Sequence, residues 1–235
     1  MTKPWVDGPR ELLQHSIDHL VSGSDFDKRI AIIGIDNSVE LMIKTYLGLP
    51  KRARGSKGPT RKELGDVENS FPALLDILEK YDSNKIIGIE LDDIEWYHRL
   101  RNQLYHSGNG ITVESTKVET YFEIASHLFE NLFGFPLKLD LSNHKQSLFG
   151  EFLTIWIYFD KEFRKQLPPK QDYAYYWKRE YLRSINPEIV DLYNEVSNFR
   201  NEIVHGNIEP EINEIKRNID TLMKIMKNLH IHPPN

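Results

Sequence analysis

Apolar positions recur at three- and four-residue spacing along most of the chain, and nowhere do they alternate in the two-residue rhythm of a half-buried strand. The pattern predicts an all-α protein. Gly8-Pro9 stands ahead of a first helix over residues 11–21, stopped near Ser22-Gly23. A second helix, over 26–47, has Ser24 or Asp25 as N-cap and Gly48 with Pro50 as its stop. Ser70 caps a helix over 71–81 with Pro72 in its first turn, 91–106 is another, and Thr112 caps one over 113–133. Beyond these, helices are expected over 148–166, 172–182, 187–205 (opened by Asn186-Pro187) and from Pro210 to 229.

Gly134-Phe135-Pro136 closes the first set, so the expected domains are 1–136 and 137–235, with 137–146 as a connector. The second half repeats the first in shorter form: two tandem bundles of four to five helices each. Aligning Arg101 with Arg200 matches Tyr97, Leu100 and Leu104 to Val196, Phe199 and Ile203, in each case the spacing of a buried helical stripe. Asn102 then matches Asn201, and His106 matches His205. A small residue follows each histidine (Ser107, Gly206), an asparagine stands in the turn (Asn109, Asn207), and a long amphipathic helix comes next.

Composition narrows the chemistry. The 235 residues contain no cysteine, which removes disulfides, thiolate metal sites and cysteine nucleophiles and fits a cytoplasmic location. The N-terminus lacks an apolar signal core, and the greasiest run, 152–159, is too short to span a bilayer, so no membrane partner is expected. A net charge of −5 argues against wholesale coating of nucleic acid. Charge is nevertheless concentrated: Lys51, Arg52, Arg54, Lys57, Arg61 and Lys62 occur with no acid among them, and Gly55, Gly58 and Pro59 predict a mobile loop there. Such a loop suits a phosphate backbone; a solvated surface loop is the alternative.

The paired motif is well above chance. With 12 arginines and 9 histidines, about half an accidental Arg-x-x-x-x-His is expected, and Arg10–His15 is one. Requiring asparagine in second place lowers the expectation to roughly 0.03, against two observed. At about 100° per residue, Asn102 and His106 lie roughly 160° from the centre of the apolar stripe and Arg101 about 60° from it, and the second motif has the same offsets. Each histidine is thus expected to face away from its own core. A histidine favoured near a helix C-terminus is the alternative, which leaves the repeated Arg-Asn unexplained.

These residue types suit phosphodiester cleavage. Histidine exchanges a proton with a 2′-hydroxyl or a leaving 5′-oxygen near neutral pH. Arginine forks onto phosphate oxygens and stabilises growing charge. Asparagine can orient the imidazole or hold a phosphate oxygen. Two copies facing each other would supply both proton transfers, with no metal or other cofactor needed.

Arg101-Asn102-Gln103-Leu104-Tyr105-His106 and Arg200-Asn201-Glu202-Ile203-Val204-His205 resemble the signature of HEPN domains, small helical bundles of higher eukaryotes and prokaryotes. The segment from Gly34 to Leu47 also resembles an early helix of bacterial members. The resemblance implies a metal-independent endoribonuclease of a toxin-like or defence system. RNA is then the substrate, an antitoxin or effector protein a partner, and the site forms where motifs converge in a homodimer or intramolecular pseudo-dimer. Arg101, Asn102 and His106 would form one half-site, and Arg200, Asn201 and His205 the other. The family also has members that bind RNA or nucleotides without cutting, and members that serve as dimerisation modules. The tyrosine that some HEPN toxins carry two residues after the histidine is replaced here by Gly108 and Asn207, so its modification is not expected.

Other candidates are weaker. His15 and His19 share a helix face without an evident third metal ligand. Asp36 and Glu40, one turn apart, read as surface ion-pair residues, with orientation of the motif as the alternative. Tyr173, Tyr175, Tyr176 and Trp177 beside Lys178 and Arg179 read as core or interface rather than a base-stacking cluster. His230 and His232 belong to a terminal tail.

Overall fold

The protein is described by a computed structural model over residues 3–55, 57–67, 69–106, 111–140, 147–167, 175–206 and 208–233. Among the described residues every regular element is helical and no strand occurs. The chain divides into two compact units, Met1–Lys145 and Gln146–Asn235.

In the first unit a 3-10 turn, Pro4–Val6, leads into α1 (Asp7–Ser22), α2 (Asp25–Gly48), α3 (Lys51–Arg54), α4 (Arg61–Val67) and α5 (Phe71–Asp82); after the 3-10 turn Ser83–Lys85 come α6 (Leu91–His106) and α7 (Ser115–Phe133). Helix α2 is the axis on which α1, α5, α6 and α7 pack. Its sequence dictates that place: Ala31, Ile32, Ile35, Val39, Met42, Ile43, Tyr46 and Leu47 spread buried apolar surface over more than one face. The Ser24 hydroxyl caps it by accepting from the Asp27 amide at 3.1 Å. Gly34 lets α1 approach closely, since a Cβ there would lie 2.3 Å from Ser16 Oγ. Gly23 and Gly134, at φ 78° and 76°, terminate α1 and α7 in the left-handed region.

Several expected boundaries move. Helix α1 begins at Asp7, so Gly8-Pro9 lies within its first turn, where proline forfeits no hydrogen bond. Helix α7 begins at Ser115 with Glu114 as N-cap, which displaces Thr112 from the expected role. The basic stretch is not a loop throughout. Lys51–Arg54 is a helical turn ended by Gly55 at φ 83°, and Arg61–Val67 is a helix. The latter starts on a reciprocal capping box: Glu63 Oε2 accepts from the Thr60 amide at 2.8 Å, and Thr60 Oγ1 accepts from the Glu63 amide at 3.1 Å. That backbone bond, with help from Tyr81 and Lys80, lowers the Glu63 carboxyl to about 2. Residues 137–140 belong with the first unit. The Leu137 amide donates to Glu130 Oε1 at 3.1 Å, and Asp140 exchanges two backbone bonds with the Gln14 amide group. The division therefore falls at 145/146 instead of 136/137.

The second unit holds α8 (Leu148–Gln166), α9 (Tyr175–Ile185), α10 (Pro187–Val204) and α11 (Ile212–Asn228). Helix α11 packs on α8 and α10, and α9 on α10. Ser147 and Asn186 cap α8 and α10 through their side chains, while α11 starts two residues beyond Pro210. The core is aromatic: Phe159 stacks on Phe163 at 5.5 Å, and Trp156 on Tyr193 at 5.9 Å. Within it Asp160 accepts from Lys178 Nζ at 2.7 Å and from Arg164 Nε at 2.6 Å. Burial pushes the Asp160 carboxyl up, but the two cations outweigh it and hold it below the usual range. No described helix is long and apolar enough to cross a membrane.

Candidate nucleic-acid interface

Helix α6 is embedded at its start and emerges at its end. Asp93, Ile94 and Tyr97 are buried, and Tyr97 stacks on Tyr121 of α7 at 4.3 Å. In residues 99–106 only Leu104 is buried. Of the expected stripe, Tyr97 and Leu104 are in the core and Leu100 is half-buried. The first motif therefore sits on the last, protruding turns of a helix whose root is fixed.

A buried carboxylate anchors it from below. Asp36 of α2 is fully buried, which overturns its reading as a surface residue. Its Oδ1 accepts from the Tyr121 hydroxyl at 2.8 Å, and its Oδ2 accepts from His98 Nδ1 at 3.0 Å. Because a carboxylate only accepts, His98 holds its proton on Nδ1. The His98 ring also stacks on Phe71 at 4.1 Å. Burial, with the Asp36 charge beside it, pushes the Tyr121 phenol well above its usual range, so it remains a donor. Arg101 Nε lies 3.2 Å from Asp36 Oδ2 without hydrogen-bond alignment, so that contact is coulombic. Arg101 Nη2 donates to Asn37 Oδ1 and Nη1 to Asn102 Oδ1, both at 2.9 Å.

This assigns the asparagine of the motif. Arg200 Nη1 likewise donates to Asn201 Oδ1, at 3.2 Å. In both units the asparagine buttresses the arginine that precedes it, a role its spacing did not disclose. A guanidinium has five hydrogens. With two donated to asparagines and Nε over Asp36, Arg101 retains two on its Nη atoms for an incoming oxyanion. His106, the last residue of α6, is exposed.

The two motifs differ in burial despite equal spacing. Arg101 is half-buried, whereas Arg200 is buried, at 3% exposed. The reason lies one turn on, where Tyr105 of the first motif is replaced by Val204. Val204 widens the apolar stripe of Val196, Phe199 and Ile203 and draws that flank of α10 into the core. Asn201 is exposed and His205, the C-cap of α10, is half-buried. Ser107, Gly108, Asn109 and Asn207 lie outside the described residues.

The basic set also divides. Lys51, Arg52, Lys57, Arg61 and Lys62 are exposed and free to meet a phosphate backbone. The Arg54 side chain is only 4% exposed. It donates to the Leu47 carbonyl at 2.9 Å, lies 3.7 Å from Asp82 and sits over the Tyr46 ring. Arg54 is a structural pin, not a phosphate ligand.

Asp36, Glu40 and His98 bring one potential ligand atom each within 4.8 Å of one another. Arg101 already faces Asp36, and Lys44 Nζ donates to Glu40 at 2.6 Å, so both carboxylates are charge-balanced and the set fits a divalent cation poorly. Glu40 thus keeps its expected surface pairing. His19 Nδ1 contacts Asp27 at 2.7 Å, and His15 packs edge-on against it. Lys178 is buried on Asp160, while Trp177 is half open; Tyr173 and the side chains of Tyr175 and Tyr176 lie outside the described residues.

His98, Asn37 and Tyr121 are the members of this cluster that sequence reasoning passed over. His98 had a usable signal: it stands four and eight residues before Asn102 and His106, on the same helical face. Asn37 and Tyr121 reach the motif only through tertiary packing. No protein-family model, curated protein or solved structure matches the chain.

Proposed function

We propose that the protein is a metal-independent endoribonuclease with HEPN-like domains, acting in the cytoplasm in a defence or toxin-like role. The observation that supports this most is the protruding end of α6, where Arg101 keeps free Nη hydrogens above a buried carboxylate and His106 is exposed on the same turns. In the reaction a base removes the proton of a 2′-hydroxyl, the 2′-oxygen attacks the adjacent phosphorus, and the bond to the 5′-oxygen breaks as that oxygen takes up a proton. His106 carries out one of these transfers. Arg101 neutralises the charge that grows on the non-bridging oxygens, and Asn102 and Asp36 hold it in place. The exposed Lys51, Arg52, Lys57, Arg61 and Lys62 supply salt-sensitive attraction for the strand. An antitoxin or effector that restrains the activity follows from the same reading.

The test is incubation with mixed RNA in excess chelator, with analysis of product ends. Cyclic-phosphate ends that vanish in His106→Ala support the proposal, and the same assay on His205→Ala shows whether the second transfer belongs to that histidine. Intact RNA at all protein concentrations refutes it. A second reading, an RNA-binding module that does not cut, is favoured by the burial of Arg200, which leaves only one of the two motif arginines open to phosphate. Retention of RNA without cleavage is its signature.

A further inference from the structure

Tyr105 is among the most exposed large aromatic or aliphatic residues, at 55%, and stands beside His106. Exposure alone means little, because Phe26 and Ile212 are as open. What distinguishes Tyr105 is its company. The Arg101 guanidinium lies over the ring at 5.0 Å from its centroid, so one face is covered by a cation that is itself ion-paired to Asp36. With that face taken and the residue still more than half exposed, the opposite face is open. Phe26 has an arginine over it too, Arg29 at 6.0 Å, but no asparagine or histidine of the motif type beside it.

Helical geometry orders the neighbours. At about 100° per residue, Arg101, Tyr105, Asn102 and His106 follow one another around an arc of roughly 140°, with Tyr105 next to Arg101. The phosphate-binding group and the proton-transferring group thus flank an aromatic plane. The second motif has no counterpart, because Val204 in the same place is fully buried.

We infer that Tyr105 is a nucleobase-stacking platform, so that the site takes an unpaired nucleotide with its base on the open face of Tyr105 and its phosphate on Arg101. The inference rests on the reading of the motif as an RNA site and adds a substrate class to it: single-stranded segments, whose bases can leave the stack, in preference to duplex. Stacking accepts any base, so little sequence preference arises at this position.

The probe is a fluorescently labelled oligodeoxyadenylate, which lacks the 2′-hydroxyl nucleophile and cannot be cut by this chemistry. Titration of the full chain by anisotropy is expected to show Tyr105→Ala binding about 5- to 150-fold more weakly than the unmodified protein. Tyr105→Phe, which keeps the ring, is expected to bind within about twofold. A duplex of equal length is expected to be indifferent to both substitutions. Equal binding by Tyr105→Ala, an equal loss in Tyr105→Phe, or an equal effect on the duplex overturns the stacking platform. Tyr105-dependent binding in a protein that leaves RNA intact sinks the ribonuclease reading and keeps the platform. Cleavage that is untouched in Tyr105→Ala does the reverse. Failure to bind the strand at all overturns the platform, and overturns both when RNA is also left intact. Because Tyr105 is exposed, the unfolding midpoints of the variants serve as the check on folding.

Discussion

Replacing Asp36 by asparagine keeps the shape of the side chain and removes the charge beneath Arg101. Three groups converge on that carboxylate: Tyr121 at 2.8 Å, His98 at 3.0 Å and Arg101 at 3.2 Å. Asparagine can still accept from Tyr121, but its amide hydrogens then face donors. Breaking a buried ion pair from one side costs about 3–5 kcal/mol. Arg101 can recover some water through its partly exposed end, which lowers the expected loss to about 2–4 kcal/mol. For a chain of this size that corresponds to a drop of roughly 4–16 °C in the unfolding midpoint. Urea unfolding of Asp36→Asn, Arg101→Met and the double variant measures the coupling directly, expected at about 1–3 kcal/mol. Because the chain has two units, the loss must fall within one transition if two are resolved. Additivity within about 0.5 kcal/mol would show that Asp36 does not hold Arg101.

Gly58→Ala places a Cβ 1.5 Å from Arg54 Nη2 and must expel the guanidinium from Asp82 and the Leu47 carbonyl, so thermal unfolding is expected to reveal a loss of about 1–3 kcal/mol. Lys178→Met leaves Asp160 with Arg164 as its nearby cation and is expected to cost about 2–4 kcal/mol at neutral pH. As the folded Asp160 carboxyl lies below its usual range, its contribution is present above about pH 4 and fades as pH falls through the lowered value, so the gap between this variant and the unmodified protein closes in acid. Glu63, lowered to about 2, keeps its charge through its unfolded value near 4.5; NMR titration is expected to show α4 intact at pH 4 and loosening as pH approaches 2.

Helices with apolar faces, proline or glycine stops and side-chain caps were legible in the sequence because those signals are local: α8 begins and ends where the pattern places it. Helix α4 was not, because Gly55, Gly58 and Pro59 ahead of it suggested a loop while the Thr60–Glu63 capping box did the opposite. The motif residues were legible from repetition, but their surroundings depend on side chains that meet only on folding. Asp36 looked like a surface acid because its partners, Tyr121 and Arg101, lie 85 and 65 positions further along the chain. Equal spacing also implied equal exposure of Arg101 and Arg200. One residue decided otherwise, since valine in place of tyrosine at the next turn converts an open flank into core.

The sharpest test concerns His106, whose exposure lets it be removed without disturbing the fold. The initial rate of cleavage of a single-stranded RNA in chelator, compared between the unmodified protein and His106→Ala, is expected to fall by about 10²–10⁴-fold while binding of the uncleavable strand and the unfolding midpoint stay unchanged. A rate within about threefold of the unmodified protein would contradict the assignment of His106 to proton transfer.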